Sequence, residues 1–508
     1  MTASWSLDDV DLVRLDIIAG RLALVLKTGD VLALSGPLGA GKTTFARALI
    51  AGLGGAAEVP SPTFALMQRY EVPHLTLAHC DFYRLEPGEL DELGLEDALA
   101  EGTVLVEWPE RASSWLPQDR LDIGIEETAR PDTRRIVLTG QGDWAKRLDR
   151  LEALSRFLDR TPHGETIARH LQGDASTRSY ARLGAPGRSV ILMNSPRQPD
   201  GPPIRGGKPY SALVHLAEDV TPFVAVAGAL KEAGLSVPDI YAFDLDQGFI
   251  VLEDLGDAVF GKEVQRGRPL SELWAPAVDV LVALAGKDPP ERLPIAGHAP
   301  YLLPHYDTEA MLIEASLLID WFWPALHGRE APPGLVEEFE SVWRPFLAQA
   351  NEADLGWVLR DYHSPNLMWL PEREGIRRVG ILDFQDAVLG PLAYDLVSLL
   401  QDARLDMPEA LEGELLARYC AARGASSKPF SRDRFLALYA VLGAQRNSKI
   451  LGIFARLAKR DGKRGYLAHI PRVARYLERD LAHPSLAGLR RFYDREFPAA
   501  QDLPPLVV

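Results

Sequence analysis

Two groups of residues in this chain of 508 have the types and spacing that phosphate chemistry requires. The first is Gly36-Pro37-Leu38-Gly39-Ala40-Gly41-Lys42-Thr43, followed by Thr44, which satisfies G-x-x-x-x-G-K-[ST]. Gly36, Gly39 and Gly41 let backbone N–H groups close around phosphate oxygens without Cβ clashes, and the helix expected after them adds a favourable dipole. Lys42 is placed to reach the β- and γ-phosphates, and the Thr43 hydroxyl to ligate Mg²⁺. Asp81 and Glu107 follow the apolar runs Leu75-Thr-Leu-Ala and Val104-Leu-Val. A carboxylate at the C-terminal end of a strand beside such a loop is where Mg²⁺ or its water shell is held. No second pair accompanies His79 and Cys80 as a metal site, so they read as packing.

The second group is Leu359-Arg360-Asp361-Tyr362-His363-Ser364-Pro365-Asn366, followed by Ile381-Leu382-Asp383-Phe384-Gln385. The Asp-x₄-Asn spacing matches the catalytic loop of protein-kinase-like enzymes, and an apolar strand ending in Asp resembles their metal-binding segment. Phosphoryl transfer needs a carboxylate to orient a hydroxyl and accept its proton, the role expected of Asp361. It also needs oxygen ligands for Mg²⁺, expected of Asn366 and Asp383. His363 reads as a brace for the loop. Upstream, Phe249–Gly256 resembles a strand running into an interlobe hinge, where the backbone at Glu253 and Leu255 would meet adenine. Gly173–Tyr180, with Arg178, would be the turn over the phosphates. The third-strand candidate Val190–Asn194 lacks the usual lysine, so Arg178 or Arg182 is expected to supply that charge.

The elements that must carry these residues fall into two blocks. Val31–Ser35 is a strand, Thr43–Leu53 a helix stopped by Gly54-Gly55, and further strands are expected at Leu75–His79, Val104–Glu107, Leu121–Ile125 and Arg135–Leu138. Short strands alternating with helices favour an α/β sheet. Trp144–Leu158 places Leu148, Leu151, Leu154 and Leu158 at helical spacing before Thr161-Pro162-His163-Gly164 breaks the pattern. The boundary is placed there: a first domain over residues 1–150, a linker over 151–162 and a second domain over 163–508. Ser195–Pro209 reads as a loop. Beyond Ser211 the chain reads as mostly helical, with strands at Gly248–Leu252, Trp357–Leu359, Leu367–Leu370 and Val379–Leu382.

Composition narrows the field. Apolar residues make up 47% and charged residues 25%, which excludes a mainly disordered chain, and two cysteines, Cys80 and Cys420, exclude a disulfide scaffold. No apolar run approaches the roughly 20 residues that cross a bilayer, and the start MTASWSLDDV is acidic where a signal peptide is basic, so a cytoplasmic location is expected. The net charge of −16 argues against strong direct nucleic-acid binding.

Further motifs in the first block bring a specific resemblance. Ser61-Pro62-Thr63-Phe64, His79-Cys80-Asp81-Phe82-Tyr83-Arg84-Leu85, Glu92-Leu93-Gly94-Leu95 and Glu107-Trp108-Pro109-Glu110 occur in order. With the loop, they resemble the TsaE family of ATPases that assist threonylcarbamoylation of tRNA adenosine. The resemblance implies that Thr63 senses the γ-phosphate, that Asp81 and Glu107 lie near Mg²⁺, and that Trp108 lies beside the nucleotide. It implies TsaB–TsaD-like partners, through which the tRNA is reached.

The second block resembles aminoglycoside-phosphotransferase-like kinases, and within them the AmgK branch acting on N-acetylmuramate and N-acetylglucosamine. Gly173-Asp-Ala-Ser-x-Arg-x-Tyr, Asp383-Phe-Gln-Asp-Ala, Gly390-Pro391, Tyr394-Asp395-Leu396 and Leu451-Gly-Ile-Phe-Ala-Arg carry that resemblance. It implies ATP-dependent phosphorylation of the C1 hydroxyl. Gln445–Lys449 and the basic loop through Lys463-Arg464 either border the sugar pocket or form a solvated face; Trp321, Trp323 and Trp369 read as packing. The expected fold is thus an α/β P-loop NTPase domain followed by an α+β bilobal protein-kinase-like domain, both using ATP and Mg²⁺. The alternative is a nucleotide-sensing binding module without turnover, joined to a kinase for another alcohol such as an aminoglycoside or choline.

Overall fold

The computed structural model describes residues 2–507 other than 56–59, 63–64, 73–74, 87–88, 172–177, 185–187, 200 and 353. Thr63 and most of the Gly173–Tyr180 turn lie outside the described residues. Two compact units result: Met1–Arg197 with Ile240–Asp254, and Gln198–Asp239 with Leu255–Val508.

The first unit opens with a seven-stranded sheet. Its strands are β1 (Thr2–Val10), β2 (Val31–Ser35), β3 (Met67–Val72), β4 (Leu75–Asp81), β5 (Gly102–Glu107), β6 (Leu121–Glu127) and β7 (Arg134–Gln141), in the order β1-β7-β6-β2-β5-β4-β3. The four central strands, β6, β2, β5 and β4, run parallel. Val-Leu-Ala-Leu in β2 is buried on both faces, as a parallel strand between helical layers must be. Helix α1 (Leu12–Ala23) begins at Asp11, whose side chain accepts from the Arg14 amide, and α2 (Lys42–Gly52) begins at Gly41 directly after the glycine loop. The sequence missed β1. Its burial alternates along the strand, as an edge strand's does, but its polar composition reads as a tail.

Helix α3 (Asp143–Asp159) differs from the domain division expected from sequence. It passes unbroken through residue 150 and through most of the segment 151–162 read as a linker. Trp144, Leu148 and Leu151 join the core of the seven-stranded sheet. Leu154, Phe157 and Leu158 join a second core, with Leu24, Leu183, Leu192, Phe249 and Val251. The periodicity in 144–158 therefore serves two sheets in succession. The second sheet consists of β8 (Ala168–Leu171), β9 (Ser179–Leu183), β10 (Val190–Asn194), β11 (Ile240–Asp244) and β12 (Phe249–Glu253), all antiparallel, in the order β11-β12-β10-β9-β8. Polar ties reinforce the shared helix. Arg14 and Arg21 both reach Asp159 at 3.0 Å, and Arg21 also donates to the Gly164 carbonyl at 2.6 Å. The Arg150 guanidinium lies 4.5 Å from the Phe249 ring centroid, and its Nε donates to Asn194 Oδ1 at 3.2 Å.

The second unit is mostly helical. Its framework is α4 (Thr221–Glu232), α5 (Leu270–Ala285), α6 (Thr308–Leu317), α7 (Ala393–Leu400), the 30-residue α8 (Arg432–Asp461) and α9 (Ile470–Leu481). Two short ribbons hold the candidate catalytic residues: β13 (Leu355–Val358) pairs with β16 (Val388–Pro391), and β14 (Leu367–Trp369) with β15 (Val379–Ile381). The strands expected at 357–359, 367–370 and 379–382 are thus present to within two residues.

Phe157 stacks on Phe249 at 5.6 Å between ring centroids in the second core. Phe157→Ala is expected to cost about 3–5 kcal/mol, read as a lower urea midpoint of the full chain; a loss under about 1 kcal/mol would mean that α3 does not anchor the second sheet.

Candidate functional sites

The glycine loop leaves β2 at the centre of the parallel strands. Gly36 can have no side chain, because a Cβ there would come within 2.5 Å of the Ile125 carbonyl oxygen. Gly39 and Gly41 take φ of 81° and 109°, left-handed conformations that side chains disfavour. Arg134 Nε ties the loop down by donating to the Ala40 carbonyl at 3.0 Å. Lys42 Nζ donates to the carbonyls of Gly36 at 2.8 Å and Pro37 at 2.9 Å, and it lies 3.7 Å from the centroid of the Trp108 ring. Burial pulls the Lys42 ammonium below its ordinary value, against the opposing pull of Glu107, Asp81 and Glu110.

Parallel pairing brings the two acids together. Asp81 and Glu107 are direct partners in the register of β4 and β5. The Thr43 hydroxyl donates to Glu107 Oε2 at 3.1 Å. Gly39, Gly41, Lys42, Thr43, Thr44, Asp81, Glu107 and Trp108 all line one cavity of about 430 Å³. A second cavity of about 310 Å³ shares Gly39, Gly41 and Thr44 and continues past Leu12, Ile125 and Arg134. A hydroxyl and two carboxylates on one wall are hard oxygen donors suited to Mg²⁺.

His79 corrects its sequence reading: it does more than pack. Its ring Nε2 lies 2.9 Å from Glu107 Oε1 with both side chains buried, so it fixes the orientation of that carboxylate. Ser61 donates to Asp81 Oδ2 at 3.2 Å, and the Tyr83 amide donates to Oδ1 at 3.0 Å. Cys80 is buried and burial pushes its thiol up to about 12, which leaves it an inert core residue.

In the second unit, the segment between β13 and β14 carries Asp361 and Asn366, and Asp383 follows β15. Asn366 Nδ2 donates to the Asp361 carbonyl at 3.0 Å and to Asp383 Oδ2 at 3.4 Å, while Gln385 Nε2 donates to Asp383 Oδ1 at 2.9 Å. Asp383 and Arg360 both take positive φ, 57° and 67°. Phe384 fixes the first of these turns by packing on Phe223 of α4, at 4.7 Å between centroids. Asp395 of α7 fixes the second, accepting from the amides of Leu359 at 2.6 Å and Arg360 at 2.9 Å. Asp402 accepts from the Ser364 amide at 2.9 Å. Burial alone would raise the Asp361 carboxyl, but Lys449, His363, Arg446 and Arg360 together hold it below its ordinary value. Burial draws the His363 ring downward in turn, against Asp402 and Asp361, which suits a neutral brace.

Other expectations divide. Arg178 is half-buried just before β9 in the first unit. Arg182, the other candidate for the missing lysine, is engaged instead with Asp254, its Nε 2.6 Å from Oδ2. Glu253 closes β12, and Leu255 lies at the start of a segment of the second unit. Gln445, Arg446, Asn447 and Ser448 are buried, so the solvated-face reading of that stretch fails for them. Trp323 and Trp369 are buried too, as the packing reading expects. Among the described residues, no helix is long and apolar enough to cross a membrane, and no group of three or more His, Cys, Asp or Glu residues could hold a metal by itself.

Two family models match. "Threonylcarbamoyl adenosine biosynthesis protein TsaE" covers residues 12–136, and "Phosphotransferase enzyme family" covers residues 167–438. The chain belongs to both families, each in its own part. The N-acetylmuramate/N-acetylglucosamine kinase of Caulobacter vibrioides is 40% identical over 359 residues, spanning 69% of this chain and 97% of that protein. The kinase of the same name from Pseudomonas aeruginosa is 36% identical, spanning 62% and 84%. The tRNA threonylcarbamoyladenosine biosynthesis protein TsaE of Bacillus subtilis is 44% identical over 140 residues, spanning 27% and 86%. The protein is a phosphotransferase joined to a TsaE-type ATPase part, and α3 lies between the two matched stretches.

Asp395 yields a test. Burial pushes its carboxyl from 3.8 up to about 7, against the two backbone donors. A carboxyl raised on folding contributes stability below its unfolded value and loses that contribution as pH rises through the folded value. Exchange of the Leu359 and Arg360 amides, corrected for intrinsic rate, should therefore quicken between about pH 4 and 7 in the wild type. Asp395→Asn should abolish this pH dependence and cost about 1–3 kcal/mol of local protection by removing one acceptor; unchanged protection would contradict the bracing role.

Proposed function

We propose that the chain is bifunctional: its second part phosphorylates the C1 hydroxyl of N-acetylmuramate or N-acetylglucosamine with ATP, and its first part is an ATPase supporting tRNA threonylcarbamoylation with TsaB–TsaD-like partners. The observation that carries the kinase reading is Asn366, whose side-chain amide joins the backbone of Asp361 to the carboxylate of Asp383. These bonds support reading Asp361 as the hydroxyl-orienting acid and Asn366 with Asp383 as the metal-binding pair. The likeness to kinases named for these two amino sugars supports the choice of acceptor.

In this reading Asp361 orients the anomeric hydroxyl and takes its proton as the oxygen–phosphorus bond forms and the bond to the β-phosphate bridging oxygen breaks, releasing ADP. His363 and Asp395 keep the loop in place while this happens. Arg178, Glu253 and Leu255 are assigned to ATP. In the first part, Gly36, Gly39, Gly41, Lys42, Thr43 and Thr44 hold the triphosphate, Lys42 leaving the Gly36 and Pro37 carbonyls for phosphate oxygens. Asp81 and Glu107 complete the metal wall with Thr43, Trp108 covers the lysine, and Thr63 is assigned to γ-phosphate sensing. Mg²⁺, held by Asn366 and Asp383 in one part and by this wall in the other, would neutralise triphosphate charge.

Phosphorus NMR of the protein with ATP and a panel of N-acetyl sugars and alcohols tests the reading. An anomeric sugar phosphate is expected, falling at least about 100-fold in Asp361→Asn, with nucleotide binding at the glycine loop retained. Lys42→Ala should leave sugar phosphorylation intact. Transfer to an aminoglycoside or choline alone, or full turnover in Asp361→Asn, would refute it.

A further inference from the structure

One short stretch of the second unit grips both of the turns that carry the candidate catalytic acids. The kinase reading assigns it no role, and any part it plays in catalysis depends on that reading. The stretch covers residues 214–223 and runs into the start of α4. Val214 is buried, and its carbonyl accepts from Arg360 Nη1 at 2.7 Å, on the turn that leads into Asp361. Arg360 Nη2 is held separately by Glu314 of α6, which Lys449 of α8 also reaches at 2.8 Å. Three residues after Val214, the Ala217 amide donates to Asp386 Oδ1 at 2.6 Å. Phe223 then packs on Phe384, beside Asp383. His215, between the first two grips, takes φ of 58°, a left-handed conformation that persists only where the surroundings hold it.

The link from this stretch to Asp383 is Gln385, which is buried. Its Nε2 is shared between Asp383 Oδ1 at 2.9 Å and Asp386 Oδ2 at 3.3 Å, while Asp386 Oδ1 takes the Ala217 amide. Two carboxylates can be met only by a donor, which fixes the orientation of this amide. Its Oε1 is then left buried and, among the described residues, without a hydrogen-bond partner. An unpaired buried acceptor is costly, and the two carboxylates are what hold it so. The other oxygen of Asp383 accepts from Asn366 Nδ2 at 3.4 Å, and the same nitrogen donates to the Asp361 carbonyl. Each oxygen of the Asp383 carboxylate thus has one amide donor, one tied to the Asp361 backbone and the other, through Asp386, to Ala217. With its Nδ2 committed, Asn366 offers its carbonyl oxygen, and with the Asp383 carboxylate it makes a set of hard oxygen donors of the kind Mg²⁺ takes.

We propose that Gln385 and Asp386 are positioning residues for phosphoryl transfer. They tie the Asp383 carboxylate to the 214–217 stretch, which also holds the Asp361 turn, and so fix the separation between the acid that orients the acceptor hydroxyl and the acid that holds Mg²⁺. Both act through Asp383 rather than on the substrate. A ligating carboxylate depends on outer hydrogen bonds of this kind for its orientation, and losing one costs about 10–100-fold in metal affinity or activity. Asp386→Asn keeps an oxygen for the Ala217 amide but sets its own N–H groups against Gln385 Nε2, donor against donor, so it breaks the chain at one known link. Because Asp386 acts through Gln385, removing both is no worse than removing Gln385 alone.

The test uses full-length Gln385→Leu, Asp386→Asn and the double variant, with phosphorylation of N-acetylglucosamine followed against Mg²⁺ concentration. Gln385→Leu is expected to raise the half-saturating Mg²⁺ about tenfold and to lower kcat about tenfold, with KM for the sugar within about threefold. Asp386→Asn is expected to move both in the same direction, and the double variant to match Gln385→Leu within about twofold. A loss of packing alone would lower the yield of active protein without moving the Mg²⁺ dependence. An unmoved Mg²⁺ dependence in Gln385→Leu, or a double variant in which the two effects multiply, would overturn the proposal. Binding of Mn²⁺ with a non-hydrolysable ATP analogue judges it without turnover, followed by electron paramagnetic resonance in a Lys42→Ala background that silences the glycine loop. About tenfold weaker Mn²⁺ binding on adding Gln385→Leu supports the role; equal binding, or no Mn²⁺ bound in the Lys42→Ala protein, refutes it. If the wild type makes no sugar phosphate while Mn²⁺ binding weakens as expected, the acceptor assignment fails and the positioning role stands.

Discussion

A carboxylate is useful to phosphoryl transfer only if it stays ionised where much of its water has been removed. Burial opposes that state, so each working carboxylate must be matched by cations or hydrogen-bond donors that other elements deliver. This constraint organises both parts of the molecule. At the glycine loop, where parallel pairing sets Asp81 level with Glu107, it is met by the donors Thr43, Ser61 and the Tyr83 amide. In the phosphotransferase part, the charges of Lys449, His363, Arg446 and Arg360 draw the Asp361 carboxyl down against its burial, while the amides of Asn366 and Gln385 meet Asp383.

The two parts reach the same end by different architecture. The TsaE-type part uses a regular sheet, in which strand ends fix the acids and a helix N-terminus fixes the phosphate loop. The phosphotransferase part uses irregular segments between short ribbons, with positive-φ residues held by Asp395, by Phe223 and by the Arg360–Glu314 pair. Strain in the second is tolerated because buried polar groups over-determine it. Helix α3 adds a covalent and hydrophobic link between the seven-stranded sheet and the five-stranded one, since its two halves lie in two successive cores.

What could be read from the sequence was what sits on contiguous residues. Val31–Thr43 reads as strand, phosphate loop and helix start because the glycines, the lysine and the apolar run are adjacent, and Asp361, Asn366 and Asp383 lie within one short stretch. Long-range pairings were not legible. Nothing local distinguishes Glu314 from a surface charge, and Lys449, in the stretch Gln445–Lys449, is left between a pocket and a solvated face, because their pairing joins helices far apart in sequence. His79 looked like filler because its partner, Glu107, is on the neighbouring strand. The Leu periodicity of 148–158 was visible, but a periodic pattern does not say how many surfaces it packs against, so a shared helix was divided into a domain end and a linker.

The central claim is that this chain holds two independent triphosphate sites, each built around a group of carboxylates. Calorimetric titration of the full-length protein with a non-hydrolysable ATP analogue and Mg²⁺ counts them directly. The account predicts two nucleotides bound per chain, and one in Lys42→Ala. A stoichiometry of one in the wild type, or complete loss of binding in Lys42→Ala, would contradict it.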